Sequence, residues 1–201
     1  MSLTIVQAGD PVLRKAARAL RPNEIRSREI RELIQQMKET MYAAPGVGLA
    51  APQIGQGIQL AVIEDRPEYI KDWTPEQLAE RERQSIPFQV IINPRITLIG
   101  DDRVEYFEGC LSLEKLMAVT PRARRVRVDC VDEKGEPKVI EASGWYARIL
   151  QHEIDHLAGT MYVDHMYPRT LMTVENFTQH WKGKTLAEVK NELLATVASD
   201  R

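Results

Sequence analysis

Ile30, Leu33, Ile34, Met37 and Met41 recur at the i, i+3, i+4, i+7 and i+11 positions of a helix buried on one side, and Pro45 and Gly46 end the run. A loop, PGVGLAAPQIGQG, follows. The hydrophobic pattern then changes to that of strands. IQLAVI (58–63), FQVIIN (88–93), RITLI (95–99), RVEYF (103–107), RRVRVDCV (124–131) and KVIEA (138–142) are the segments, and DEKG (132–135) is the hairpin turn joining the last two. Between the first two strands lies a charged segment, 64–85. Its TPEQLAERER stretch carries Thr74 as N-cap, Pro75 at the first helical position and Gln77 to complete a capping box. Ser143 is placed to cap a helix from about Gly144 to Leu157, closed by Gly159, and a last helical pattern spans 185–197. These elements predict an α+β fold, with antiparallel-rich sheets packed around a central helix and further helices toward both ends. We read one domain over 1–201, with 64–85 as a surface insertion and 171–201 as a tail bearing a helix.

Composition narrows the setting. The 201 residues are 43% hydrophobic and 28% charged, enough for one proper core. A net charge of −2 and the lack of a basic–aromatic stripe argue against a nucleic-acid binder. No apolar run reaches the length of a membrane span. The opening MSLTIVQAGDPVLRKAARAL lacks the order of a secretory signal, so a cytoplasmic chain with free Cys110 and Cys130 is expected.

The candidate chemistry sits in QHEIDHLAGTMY (151–162). Trp145, Ile149, His152 and His156 share one helical stripe, so both imidazoles face inward, one turn apart, where a single cation can bridge them. Glu153 projects to the side, able to reach a water at that cation without being a ligand. Arg148, Gln151 and Asp155 form a separate polar stripe, expected at the helix edge. Two core histidines bonded to backbone are the alternative. Burying two imidazoles and a carboxylate together without a cation is costly, which favours a metal.

A third ligand is required, and several residues could supply it. The HExxHxxGxxH pattern would place a histidine at 162, where this chain has Tyr162. Glu175 lies 19 residues beyond His156, near the spacing of thermolysin-like enzymes. His165 and His180 occupy polar, loop-like stretches and read as surface residues. Cys110, in YFEGCLSLE, follows a strand-like run, with Gly109 before it to allow close approach. Cys130, in an alternating strand, reads as a core thiol. GVGLAA (46–51) matches a dinucleotide fingerprint in letters only, because a helix precedes it and Pro52 follows. Its glycines instead suit a place where another backbone comes close, with the Gln53 amide at the loop's end.

GVGLAAPQ (46–53), EGCLS (108–112) and QHEIDHLAG (151–159), in this order, resemble the three signature motifs of the peptide deformylases, over about residues 5 to 170. The stretch 142–170 is more similar to the plant and mitochondrial branch and its bacterial relatives than to short bacterial forms. The resemblance implies that Cys110, His152 and His156 bind one divalent metal, Fe²⁺ foremost, with Ni²⁺, Co²⁺ or Zn²⁺ able to substitute. It implies Glu153 as general acid/base, Gln53 and the Leu111 N–H as oxyanion donors, and Gly48 and its neighbours as partners of the substrate backbone. The implied reaction is hydrolysis of the formyl amide on N-formylmethionyl nascent peptides, a metal-activated water attacking the formyl carbon. Trp145 and Ile149, with Val47 opposite, are candidates for the methionine slot. The segment after EGCLS departs from many relatives, so the loop over the site is expected to differ. Some bacterial relatives dock a basic C-terminal helix on the ribosome. Here Lys190 and Arg201 are matched against Glu188, Glu192 and Asp200, which gives ribosome association little support.

Overall fold

The computed structural model describes residues 3–194. Its helices are α1 (Pro22–Ile25), α2 (Arg28–Ala43), α3 (Pro67–Ile70), α4 (Pro75–Glu80), α5 (Gly144–Leu157), α6 (Val174–Asn176) and α7 (Leu186–Leu194). Its strands are β1 (Gly48–Ala50), β2 (Leu60–Asp65), β3 (Ile86–Leu98), β4 (Arg103–Cys110), β5 (Leu113–Ala123), β6 (Arg125–Val131), β7 (Pro137–Ser143) and β8 (Met172–Thr173). They form an antiparallel five-stranded sheet, β1-β2-β3-β6-β7, and a three-stranded sheet, β4-β5-β8. The fold is α+β.

Alternation along the strands creates the two faces of the larger sheet. Leu60, Val62, Val90 and Ile92 point to the side where α2 lays down Ile30, Ile34, Met37 and Met41. Ile63, Ile91, Val126, Val128 and Ile140 point to the other side, against Ala147, Ile149 and Leu150 of α5. Each such aliphatic side chain, fully buried, contributes about 1.5–3 kcal/mol. The helix carrying the histidines is thus locked into a core, with the smaller sheet along its flank.

Four local expectations need correction. FQVIIN and RITLI are one strand, β3. Asn93 sits at positive φ between them, and its side chain pairs with both backbone groups of Leu20 at 2.8 Å, so the strand bends without breaking. LEKLMAVTPRA, read as a loop, is the long strand β5. Pro121 is tolerated there because β8 pairs with β5 only at Leu116 and Met117, leaving that edge open. Ser143 occupies the N-cap of α5, but its hydroxyl bonds no helix amide. Its partner is the Glu82 carboxylate. Arg148 and Gln151, placed at the helix edge by periodicity, are buried. The final helix ends at Leu194 within the described residues, and the remainder of the 185–197 expectation lies outside them.

The hairpin turn at 132–135 and the Thr74–Gln77 capping box form as expected. Residues 66–85 carry α3 and α4 and return to the N-terminus of α5. There the Arg81 carbonyl accepts from the Trp145 N–H at 2.9 Å.

Candidate metal centre

Cys110 is the last residue of β4, and the β4–β5 register shifts between Gly109 and Cys110. Such a bulge re-aims the side chain that follows it. The thiol sulfur accepts from Ser112 N at 3.4 Å and from Gln53 Nε2 at 3.5 Å, and it lies 3.2 Å from His156 Nε2. His152 completes the group: one ligand atom each from Cys110, His152 and His156 falls within 4.8 Å of the others. Tyr162, which stands where a third histidine would be in HExxHxxGxxH, stacks on the His152 ring with centroids 6.4 Å apart. Glu175 is exposed on α6, and His165 and His180 are exposed as well, so none joins the group.

The residue that sequence reasoning passed over is Glu108. It is buried, and its Oε1 accepts from His152 Nδ1 at 2.7 Å, which leaves Nε2 available to a metal ion. The same carboxylate accepts from Arg122 Nη2 at 2.6 Å and from Arg148 Nη1 at 2.7 Å. Arg148 also donates to the carbonyls of Thr120 and Val104, and Arg122 reaches Asp155. Gln151 brackets the backbone of Ala123 with bonds of 2.9 Å to its N–H and its C=O. So the polar stripe of α5 faces the β4–β5 sheet and fixes the helix there. The signal was available in part. In a strand, residues two apart share a face, which puts Glu108 beside Cys110. The two arginines gave no local signal, because their partners are far away in sequence.

These contacts set the charge states. Burial raises the Glu108 pKa, but the His152 and Arg122 contacts outweigh it and hold the carboxyl far below its ordinary range. Burial lowers the His152 pKa, while its contacts with Cys110 and Glu108 win and carry it above the usual value. Burial, with His152 adding to it, takes His156 well below. Burial pushes the Glu153 carboxyl up to about 7. Glu153 Oε2 is buried with no hydrogen-bond partner among the described residues. Its other oxygen lies so near Gly48 that a Cβ on that residue would come within 2.2 Å. The Glu153 side chain therefore fills the space that a side chain at position 48 would need. At Gly46 a Cβ would meet the Leu111 side chain at 2.9 Å.

Gln53 is also buried. Its Oε1 accepts from Ala50 N at 2.9 Å, which turns the NH₂ toward Cys110 and toward Ser112 Oγ at 3.4 Å. A cavity of about 310 Å³ opens over the group, and Val47, Gly48, Gln53, Gly109, Leu111, Trp145, Ile149 and Glu153 all line it. Val174 of α6 adds a rim residue from the C-terminal tail. The cavity touches β1 and β4, and each of these is an edge strand of its sheet. One thiol and two imidazoles, with an unpartnered carboxylate oxygen beside them, fit a divalent first-row ion with one coordination position left for a water or substrate oxygen.

Comparison with known proteins identifies the family. The family model described as polypeptide deformylase matches residues 2–171. Peptide deformylase 1A, chloroplastic, of Solanum lycopersicum is 46% identical over 172 residues, 86% of this chain and 62% of that protein. The Arabidopsis thaliana peptide deformylase 1A, chloroplastic/mitochondrial, is 45% identical, with 64% of its length covered. The chain thus spans a little under two thirds of these plant relatives. Peptide deformylase 3 of Streptomyces avermitilis is 43% identical over 91% of this chain and 80% of its own length. Among solved structures, the Met-Ala-Ser-bound class I type b peptide deformylase from Acinetobacter baumannii superposes with a TM-score of 0.73 at 29% identity, covering 83% of this chain and 99% of that one. The chain belongs to the polypeptide deformylase family.

Proposed function

We propose that this chain hydrolyses the N-formyl amide of the N-terminal methionine on newly synthesised polypeptides, releasing formate and a free amine. The observation that carries the reading is the convergence of Cys110, His152 and His156 beside the unpartnered Glu153 oxygen, at the base of a cavity between two strand edges. The three residues would hold one ion, Fe²⁺ by family, with Ni²⁺, Co²⁺ or Zn²⁺ as substitutes. When bound, such an ion supplies Lewis acidity at the formyl oxygen and acidifies water.

The protein's own groups do the rest. Glu153 takes the proton of the attacking water and passes it to the departing amine, the work of a base buried and tuned toward neutrality. Gln53 Nε2, held by the Ala50 contact, donates to the oxygen that gathers charge, with the Leu111 N–H as second donor. Losing one such donor typically costs about 10²–10³ in rate. The peptide adds as a strand along β1, pairing with the backbone around Gly48, while Gly109 leaves room on the β4 side. Val47, Trp145 and Ile149 take the methionine side chain. The substrates are nascent N-formylmethionyl peptides, and we place the reaction in the cytoplasm. No helix among the described residues is long and apolar enough to cross a membrane, and both cysteines are free thiols.

Glu153→Ala and wild-type protein, each loaded with one equivalent of Ni²⁺, test the reading by formate release from formyl-Met-Ala-Ser. Loss of about 10²-fold or more in kcat with the ion retained supports it. Equal turnover would remove Glu153 from the mechanism, and no formate from the ion-loaded wild type would overturn the reading and leave a metal-stabilised module for N-terminal peptides.

A further inference from the structure

Residues 64–85 were read from sequence only as a surface insertion. In the fold they reach the slot assigned above to methionine. The Arg83 guanidinium lies 4.7 Å from the Trp73 ring centre and 4.8 Å from that of Trp145. It is held there by two bonds to buried Asp65, at 2.8 and 2.9 Å. The Arg81 guanidinium lies among Trp73, Tyr106 and Trp145, at 4.8, 5.1 and 5.7 Å. In contrast to Arg83, it has no carboxylate in hydrogen-bond contact among the described residues. Backbone contacts tie the same segment down. The Arg81 carbonyl accepts from Trp145 N at 2.9 Å, and the Glu80 carbonyl accepts from Tyr106 Oη at 2.6 Å. Gly144, at φ +55, has no room for a side chain. A Cβ there would meet Glu82 Cβ at 2.4 Å and Arg81 O at 2.6 Å.

We propose that 66–85 is a clamp that sets the position of the Trp145 ring in the substrate side-chain slot, with Arg81 and Arg83 as positioning residues that touch no substrate. Two planar cations packed on an indole restrict both its rotation and its outward movement. Trp145 and Ile149 line the cavity together, so the width of the slot depends on where the clamp holds that ring. In this chain, selectivity for the methionine side chain is then set partly by residues outside the cavity. The inference rests on the proposed function for its kinetic readout, but its structural readout stands apart from it.

Arg81→Ala is the principal variant, because it leaves no buried carboxylate unpaired, and Trp73→Leu is the second. The kinetic comparison is kcat/KM for formyl-Met-Ala-Ser against formyl-Phe-Ala-Ser. Displacing a slot wall changes such ratios by about tenfold. The expected result is a Met:Phe ratio reduced by about tenfold, with KM for the methionine peptide raised and kcat within about twofold. Arg81→Lys, which keeps a cation over the rings, restores most of the ratio. Independently, the ¹⁹F resonance of fluorotryptophan at 145, assigned by its loss in Trp145→Phe, shifts in Arg81→Ala and moves back in Arg81→Lys. An unchanged ratio and an unshifted resonance in both Arg81→Ala and Trp73→Leu would overturn the clamp, as would a fall in thermal stability and kcat with the ratio intact. If wild type releases no formate, the proposed function fails and the ¹⁹F result alone decides the clamp.

Discussion

His152 Nδ1 donates to Glu108 Oε1 at 2.7 Å, and that one carboxylate is also the counter-ion of Arg122 and Arg148. Ring orientation and helix docking are therefore coupled through a single residue. Glu108→Ala is expected to weaken metal binding about 10–100-fold. It also leaves buried Arg148 without a carboxylate and Arg122 with Asp155 alone, at about 3–5 kcal/mol of stability. Competition with a chelator measures the first effect and denaturant unfolding of the metal-free protein the second.

Gly48 carries no side chain because Glu153 occupies the space: Oε1 would stand 2.2 Å from an added Cβ. Gly48→Ala should displace the carboxylate without touching a ligand. An error of about 1 Å in such a group can cost about 10² in rate. Steady-state kinetics beside metal analysis should show lost kcat with one ion per chain retained. Loss of the ion instead would mean that the damage spreads to the ligands.

The choice of third ligand, Cys110 or Glu175, separates two kinds of enzyme. Cys110→Ala is expected to lose metal, while Glu175→Ala, changed at an exposed position, keeps it. The reverse pattern, read by metal content after gel filtration, would support a zinc endopeptidase that uses Glu175.

The clamp on α5 should be sensitive to acid. The Ser143 hydroxyl foremost, and then Arg124, hold the Glu82 carboxyl below its ordinary pKa against the opposing effect of burial. A depressed carboxylate contributes stability above its unfolded pKa, near 4.3, and that contribution is lost as pH falls through the lower folded value. Melting curves of wild type should therefore converge on those of Glu82→Gln as pH drops below about 4. A gap of constant size across that range would contradict the assignment.

Much of this was legible in local sequence, and the exceptions share a cause. The α2 stripe, the α5 limits, the 132–135 turn and the three signature segments each depend on neighbours within a turn or a strand. Arg148 and Gln151 look like an exposed edge until the β4–β5 sheet, distant in sequence, supplies Glu108, Thr120 and Ala123. Pro121 hid β5 because a proline rules out a doubly paired strand but not one with an open edge. The contact of Gly48 with Glu153 was not legible either, because the side chain that fills the space comes from a residue 105 positions later (153 − 48).

The most direct measurement is formate release from formyl-Met-Ala-Ser and acetate release from acetyl-Met-Ala-Ser, using protein purified anaerobically and loaded with Fe²⁺ or Ni²⁺. Turnover of the formyl peptide alone is expected, dependent on the ion and abolished by a chelator. No formate from protein carrying one equivalent of ion, or equal cleavage of both peptides, would contradict it.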